Sequence, residues 1–286
     1  MLNKVAVLTT VFPMKEEYLC SFFESLEKQT CKKFDVIVVN DGYAAFEELS
    51  YRYSSLEIVE LVSSGTPSKN RERGINYVKQ NAYDVVVLAD SDDYFEINRI
   101  EVSLKCLSDA DVVVNDLSLF SHDKVYNESY LSNRLVNNQS LTINDIREKN
   151  FFGFSNTAFK LCAINSVAFD PELIAVDWYF FSCLLLEGNE AVFTNETRTY
   201  YRQYQGNTIG LGELTKKMLL RGLQVKRKQY ELMISKDNSY SALLEDVTRL
   251  EKLIQTDADV EGYIAGASEL QPKYPLWWEN IKLPRN

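Results

Sequence analysis

The chain has 286 residues, about two average domains' worth, and 45% of them are hydrophobic, so it can bury a large core. Its 41 acidic residues outnumber its 31 basic ones, and the resulting net charge of −10 disfavours nucleic acid as a partner. The single histidine, His122, excludes a zinc site built on two or three histidines and leaves a Ser-His-Asp hydrolase only one candidate base.

The five cysteines are odd in number and show no CxxC spacing, which argues against a disulfide framework or a thiolate metal site. We therefore expect a reducing, cytoplasmic location. No apolar stretch approaches the roughly 18 residues of a membrane-spanning helix, so the sequence predicts at most a peripheral position at the inner face of a membrane.

Short β-branched runs alternate with amphipathic stretches over the first 116 residues. This pattern predicts βα units in an α/β fold whose sheet is mostly parallel and buried. We predict strands at 5–11, 34–39, 56–61, 85–89 and 112–115, and helices at 16–29, 44–53, 68–80 and 97–107. Because ligands bind beyond the carboxyl ends of such strands, the residues that follow each strand are the candidates for chemistry.

The second half of the chain has a different sequence pattern. Residues 117–160 are polar and poorly periodic, which indicates connecting loops around a short helix at 142–149. An apolar aromatic helix is predicted at 177–186, and long helices at 213–234 and 240–254. We predict a domain boundary near residue 210, which leaves 211–286 as a helical C-terminal extension.

Two features of the extension allow alternative interpretations. Six cations on the first long helix favour a solvated face, with contact to anionic lipid headgroups or a phosphorylated acceptor as the alternative. They are Lys216, Lys217, Arg221, Lys226, Arg227 and Lys228. The pair Trp277 and Trp278 favours a hydrophobic plug over a platform for stacking sugars.

The strongest local signal is an acidic cluster directly after a hydrophobic strand. Asp90, Asp92 and Asp93 place three carboxylates within four residues. Such carboxylates repel one another, and a hard divalent cation, Mn²⁺ or Mg²⁺, relieves the repulsion while taking further ligands from water and phosphate. The alternative is an acidic turn in which Asp93 starts the next helix.

Two weaker signals accompany this cluster. Asp41 follows the run Val36 to Asn40 and precedes Gly42, so its carboxylate could accept from a base N–H or a ribose hydroxyl at the end of a strand. The alternative is a simple turn, because Asp-Gly is common in turns. Lys69, Arg71 and Arg73 lie at the opening of a helix and suit an anionic nucleotide, although one or two of them are expected to be only solvated.

Together these motifs resemble a family 2 glycosyltransferase of the GT-A fold over roughly residues 3–209. The segments that carry the resemblance are Val5 to Phe12, Gln29-Thr30, Val36 to Gly42, Arg71 to Ile75, Leu88 to Phe95, Phe169 to Leu173, Asp177-Trp178 and Tyr200 to Gln203. The resemblance implies a Rossmann-like GT-A domain over 1–210, with a nucleotide-binding half at 1–116 and an acceptor-binding half at 117–210.

The resemblance also implies a role for each matching residue. Thr10, Phe12 and Asp41 would hold the nucleoside, Arg71 or Lys69 would contact the nucleotide, and Asp90-Ser91-Asp92 matches the DXD motif. Asp90 would reach the ribose, the diphosphate or the metal, Asp92 would bind the metal, and Asp93 would complete the acidic set behind them. Asp177, at the family's ED pair, would be the general base; the alternative is an ordinary helix N-cap.

The implied reaction is an inverting transfer of a sugar from a nucleotide-diphosphate donor to a hydroxyl of a glycan or lipid-linked acceptor, in bacterial surface polysaccharide synthesis. Two alternatives stay open. Val176 replaces the glutamate of the ED pair, and Tyr204 stands where relatives often carry histidine, which would suit an impaired nucleotide-binding or scaffold protein. A Mg²⁺-dependent phosphatase that uses Asp90 and Asp92 is the third possibility.

Overall fold

The computed structural model describes residues 4–121, 124–165, 167–204, 214–269 and 272–284. His122 therefore lies outside the described residues. The chain divides into two compact units that alternate along the sequence. The first comprises Met1–Leu141, Phe152–Glu172 and Gly188–Arg202, and the second comprises Thr142–Phe151, Leu173–Glu187 and Gln203–Asn286.

The described residues form ten strands and nine α-helices. Strands β1 to β10 are Val5–Val11, Asp35–Asn40, Glu57–Val62, Val85–Asp90, Tyr94–Phe95, Val112–Ser121, Lys124–Asn127, Ser140–Leu141, Thr157–Lys160 and Ala191–Arg202. Helices α1 to α9 are Glu16–Glu27, Phe46–Arg52, Pro67–Gln80, Arg99–Cys106, Ile143–Ile146, Val176–Leu186, Lys216–Ile234, Tyr240–Leu253 and Asp257–Glu269.

The first unit is built on one mixed sheet. Its strand order is β3-β2-β1-β4-β9-β6-β10-β5, with β7 beside β6 and β8 beside β10. Strand β1 pairs in parallel with both β2 and β4, and all seven of its residues are buried. A strand covered on both faces has no solvent side, which explains why β1 reads as a continuous apolar run instead of an alternating one. The predicted α/β fold is confirmed.

Helix α1 shows how the helices cover this sheet. Leu19, Phe22, Phe23 and Leu26 recur at helical spacing, and all four are completely buried in the core. Helix α3 begins where the Thr66 side chain accepts a hydrogen bond from the backbone N–H of Lys69.

The prediction of connecting loops over 117–160 is wrong, because four strands contribute to this stretch. Strand β6 continues to Ser121, and β7, β8 and β9 follow it. The predicted strand 112–115 was too short because polar residues follow it. These residues are buried within β6 and hydrogen-bonded. Asp116 Oδ1 accepts from the backbone N–H of Leu131 at 2.8 Å, and Ser118 Oγ donates to a backbone carbonyl at 2.6 Å. Strand β10 was also not predicted.

The second unit consists of helices α5 to α9 and the segment that follows them. Trp178 on α6 is fully buried, and its indole N–H donates to the backbone oxygen of Ile146 at 2.6 Å. Its ring packs edge-on against Tyr230 of α7, and Gln229 Nε2 donates to Ser182 Oγ. The aromatic helix α6 is therefore apolar because α5 and α7 pack around it.

This unit does not coincide with the predicted extension. Residues 142–151 and 173–187 pack with the C-terminal helices, whereas the prediction assigned them to the domain before residue 210. Residue 210 itself falls outside the described residues. Trp277 and Trp278 in the tail are both buried, as the favoured interpretation of a hydrophobic plug expected. The Asn150 N–H donates to the Trp277 carbonyl at 2.9 Å.

The row of cations on α7 is not a uniformly solvated face. Lys226 is only 2% exposed, so it cannot contribute to the lipid-headgroup contact considered for this helix. Arg227 pairs with Glu251, and Lys216 pairs with Asp257 at 2.6 Å. The buried positions of α7 recur at three- and four-residue spacing, and Lys226 falls on that stripe. No helix among the described residues has the length and apolarity needed to cross a lipid bilayer.

Gly74 lets α3 approach the sheet closely, and this generates a stability prediction. A Cβ at Gly74 would lie 2.7 Å from Leu8 Cδ1 and 3.1 Å from Val39 Cγ2. We expect Gly74→Ala to lower the free energy of unfolding by about 1–3 kcal/mol, because these core side chains must shift. The control is Gly262→Ala in α9, where nothing lies within 4 Å and the helix should gain up to about 1 kcal/mol. Chemical denaturation measures both; equal effects would contradict the packing argument.

Candidate functional site

The candidate site lies at the carboxyl edge of the sheet in the first unit, where β1, β2 and β4 end together. Thr10 is in register with Val39 on one side and Asp90 on the other. The backbone N–H of Asp41 donates to the Val11 carbonyl at 2.7 Å, which fixes the turn after β2 against the end of β1. Three of the predicted site residues are thus neighbours because parallel pairing aligns the strand ends.

Two more residues complete this edge. Phe12 follows β1 directly, and its side chain is 41% exposed, unusual for a large apolar residue in a chain that buries most of its aromatics. Ser91 Oγ donates to the Thr10 carbonyl at 2.8 Å and is buried. The middle residue of the Asp90-Ser91-Asp92 motif therefore anchors the loop to β1.

Arg71 reaches this edge from α3. Its guanidinium donates to Asp90 Oδ1, contacts the Ala89 carbonyl at 3.4 Å, and lies over the Phe154 ring at 4.9 Å. The Arg71 side chain is 17% exposed and that of Asp90 is 30% exposed. The pair therefore stays accessible to a ligand while each partner offsets the charge of the other.

Lys69, the other predicted nucleotide contact, has a partner on its own helix. Its Nζ lies 2.7 Å from Glu72 Oε2, which also accepts from the Phe169 backbone N–H at 2.6 Å. Burial acts to raise the pKa of Glu72, but these two hydrogen bonds outweigh it and the pKa is lowered. Of the two cations, Arg71 is the one in contact with the acidic motif.

Asp93 has a different environment from the other acids of the motif. It is 1% exposed; Oδ2 accepts from Ser155 Oγ, and Oδ1 accepts from the Arg202 backbone N–H at 2.7 Å. Burial, and after it the nearby carboxylates of Asp92 and Asp90, raise the pKa of Asp93 well above its ordinary value. Asp93 is thus a buried support of the loop.

The fit of a divalent cation follows from these environments. Among the described residues, no group of three or more histidine, cysteine or acidic side chains converges on a metal-binding position. Asp90 and Asp92 are both partly exposed. They fit a cation that takes its remaining ligands from phosphate and water. Asp93 does not fit as a direct ligand, since both of its oxygens are already engaged within the protein.

Asp177, the predicted general base, lies in the second unit on the first turn of α6. The helix begins at Val176, its N-cap residue is Ala175, and no side chain caps it. Asp177 Oδ1 accepts from the backbone N–H of Trp178 at 2.7 Å. The alternative that Asp177 is an ordinary N-cap is therefore wrong. Its part in catalysis stays a prediction.

Comparison with known families decides the identity of this arrangement. The sequence model described as glycosyl transferase family 2 matches residues 7–167, more than half of the chain. The chain belongs to glycosyl transferase family 2. The resemblance inferred from the motifs is confirmed, and the matched range contains every predicted site residue of the first unit.

Two relatives show how far the family likeness extends. YwdF of Bacillus subtilis, an uncharacterised glycosyltransferase, is 25% identical over 167 residues, 57% of this chain and 61% of YwdF. Glycosyltransferase GlyA of Streptococcus pneumoniae is 24% identical over 223 residues, 72% of this chain and 31% of GlyA. This family 2 chain thus spans less than two thirds of either relative.

Solved structures confirm the GT-A fold. S. aureus TarS 1–349 in complex with UDP-GlcNAc gives a TM-score of 0.67 at 17% identity and covers 95% of this chain and 82% of that one. GalNAc-T7 with UDP, GalNAc and Mn²⁺ gives a TM-score of 0.61 at 11% identity and covers 94% of this chain and 55% of that one.

Sequence reasoning missed the buried residues that support the family 2 motif. Arg202 Nε donates to the Asp92 carbonyl at 2.8 Å, and its guanidinium lies between the rings of Tyr18 and Phe120. Arg99 is fully buried, and its Nη2 donates to the Leu88 carbonyl at 2.9 Å. The available signal was Arg202 within the matching segment Tyr200 to Gln203; nothing in the sequence marked Arg99.

Ser155 provides a test of the support around Asp93. We expect Ser155→Ala to lower the free energy of unfolding by about 1–3 kcal/mol, because the buried Asp93 carboxyl loses one of its two donors. Ser108→Ala is the control: this serine is exposed, bonds only to the Lys105 carbonyl, and should change stability by less than about 0.5 kcal/mol. If denaturant titration gives the two variants the same loss, Ser155 does not support Asp93.

Proposed function

We propose that this chain is an inverting glycosyltransferase that transfers a sugar from a UDP-activated donor to a hydroxyl of a glycan or lipid-linked acceptor. One observation carries the proposal: in a family 2 chain, Thr10, Asp41, Arg71 and Asp90 meet at one edge of a parallel sheet. That edge is where open α/β sheets bind nucleotides.

The nucleoside would occupy the ends of β1 and β2. The Asp41 carboxylate can accept from a base N–H, because its loop is held against the Val11 carbonyl. The exposed ring of Phe12 offers a face for stacking beside it. UDP is the donor nucleotide we propose, since TarS has been solved with UDP-GlcNAc and GalNAc-T7 with UDP.

The diphosphate would lie against Arg71 and Asp90. A guanidinium presents several N–H groups in a fixed plane, so Arg71 can donate to phosphate oxygens while keeping its contact with Asp90. Asp92 and Asp90 would hold Mn²⁺ or Mg²⁺. When bound, such a cation acts as a Lewis acid that offsets charge on the departing diphosphate.

The acceptor hydroxyl needs a base, and we propose Asp177 for that role. It would accept the hydroxyl proton as the oxygen attacks the anomeric carbon from the face opposite the diphosphate, which inverts the configuration. General-base assistance of this kind contributes about 10²- to 10⁴-fold to a rate. The role rests on the resemblance of Val176-Asp177 to the family's ED pair, which lies beyond the matched range 7–167, and on the half-buried place of Asp177 at the start of α6.

The biological setting we propose is the assembly of bacterial surface polysaccharide. YwdF and GlyA, two bacterial proteins named as glycosyltransferases, support the glycosyl-transfer part of this proposal. Acceptor selection is proposed to lie in residues 117–176, after the nucleotide-binding strands.

Donor binding can be tested by thermal unfolding with UDP, GDP and dTDP, each with and without Mn²⁺. We expect UDP at a hundred times its dissociation constant to stabilise the protein by about 2.7 kcal/mol. Asp92→Asn should remove the additional shift caused by Mn²⁺ and leave the metal-free UDP shift unchanged. Asp109→Asn, an exposed acid in the same unit, is the matched control. An unchanged Mn²⁺ shift in Asp92→Asn would contradict the metal assignment.

Turnover tests the proposed base. With a panel of UDP-sugars and bacterial polysaccharide and lipid-linked acceptors, we expect Asp177→Asn to slow acceptor-dependent UDP release by about 10²- to 10⁴-fold while UDP binding persists. Glu187→Gln changes an acid at the other end of α6 and should keep wild-type turnover. Equal turnover in Asp177→Asn and wild type would refute the assignment. Wild-type protein that binds UDP but transfers nothing would favour a nucleotide-binding protein without catalysis.

A further inference from the structure

The second unit contains a cavity of about 250 Å³ that the proposed transfer does not use. It is lined from four parts of this unit: Glu148 after α5, Lys226 and Tyr230 on α7, the α8 face around Val247, and the segment that begins at Ile281. Each of these residues belongs to the second unit, so the cavity is formed within one compact body.

Lys226 is the unusual member of this lining. It is 2% exposed, yet among the described residues it forms no hydrogen bond or ion pair. Its neighbours on α7 do have partners: Arg227 donates to Glu251, and Gln229 Nε2 donates to Ser182 Oγ, although Gln229 Oε1 is buried without a partner among the described residues. An ammonium on a side chain this buried is costly unless it reaches an acceptor, and an apolar residue would fill this place on the buried stripe of α7 at no such cost.

The charged groups around Lys226 are of both signs. Burial lowers the pKa of Lys226 to about 8; Glu148 and Glu279 oppose this shift, and Lys282 adds to it. The acids act at longer range than an ion pair. The amine therefore keeps its three donor positions open to an acceptor that enters the cavity.

The remaining walls define the kind of acceptor that fits. Leu243, Val247, Leu250, Ile281 and Pro284 supply an apolar surface. Glu148 and Asp246 also face the cavity and would repel a doubly charged anion. A short aliphatic molecule with one negative charge suits both the apolar walls and the nearby acids. An inorganic phosphate has no apolar part and carries more charge.

We propose that this cavity is a binding site for a small aliphatic monocarboxylate, whose oxygens accept hydrogen bonds from Lys226 and whose carbon chain packs on the α8 face. The bound carboxylate would contact α7, α8 and the 281–284 segment at once. The proposal is independent of the glycosyl transfer proposed above, since no residue of the sheet edge takes part.

The test is an NMR titration of the full chain labelled with ¹³C-lysine, with the Lys226 ε-methylene signal identified by its absence in Lys226→Met. Sodium acetate, butyrate, hexanoate and phosphate are added in separate titrations, at constant ionic strength maintained with chloride. We expect a saturable shift of the Lys226 signal, tightest for the chain length that fills the cavity. Butanol, which has the same carbon chain without the charge, should bind at least about tenfold more weakly, because it forms no charge-assisted hydrogen bond.

Two variants make the result decisive. Lys226→Met keeps an unbranched side chain of similar length and removes the buried charge, so it should remain folded and weaken butyrate binding by at least about tenfold, as followed by butyrate's own signals. Lys217→Met alters an exposed lysine on the same helix and should bind butyrate as wild type does. No saturable shift up to about 100 mM, equal binding in Lys226→Met, or preference for phosphate or butanol over butyrate would each overturn the proposal.

Discussion

The parallel pairing of β1 with both β2 and β4 is the constraint on which the candidate site depends. These parallel strands have similar lengths and pair in register, so the residues after them share one edge whatever their separation in sequence. Thr10, Asp41 and Asp90 are brought together in this way. Arg71 joins them because α3 packs closely on the same strands, and Gly74 makes that close packing possible. Backbone geometry therefore decides which side chains meet at this edge.

The three carboxylates of the acidic motif differ in exposure, which the sequence alone does not show. Asp90 and Asp92 remain accessible, while Asp93 is enclosed by Ser155 and the Arg202 backbone. The Arg202 side chain also holds the Asp92 carbonyl, so the last residue of β10 fixes two positions of the loop. The backbone that carries the two accessible carboxylates is therefore held by contacts within the protein, which is the preorganisation that a site of this kind needs.

The sequence predicted the first unit well where the pattern was strong. The strands around β1 and the helices between them agree with prediction within a few residues, because continuous apolar runs are typical of buried strands and the spacing of Leu19, Phe22 and Phe23 is typical of a helix. Prediction failed where polar residues are buried with local partners, as at Asp116 in β6. The assignment of Lys226 to a solvated face is wrong because it followed the charge of the side chain and not its place on the buried stripe of α7. The acids of the edge were identified from the sequence, whereas Ser155 and Arg99 could be recognised only from the structure.

The interleaving of the two units bears on how the protein is made. The sheet of the first unit needs β10, which is synthesised after α6, while α6 itself packs on α7, which is synthesised later still. During synthesis the aromatic face of α6 has therefore left the ribosome before its partner exists, at the stage when exposed apolar surface favours aggregation. A polypeptide cut at the apparent boundary near residue 210 would keep that face uncovered, with Trp178 deprived of Tyr230. A fragment that ends before α7 thus leaves α6 without one of its packing partners.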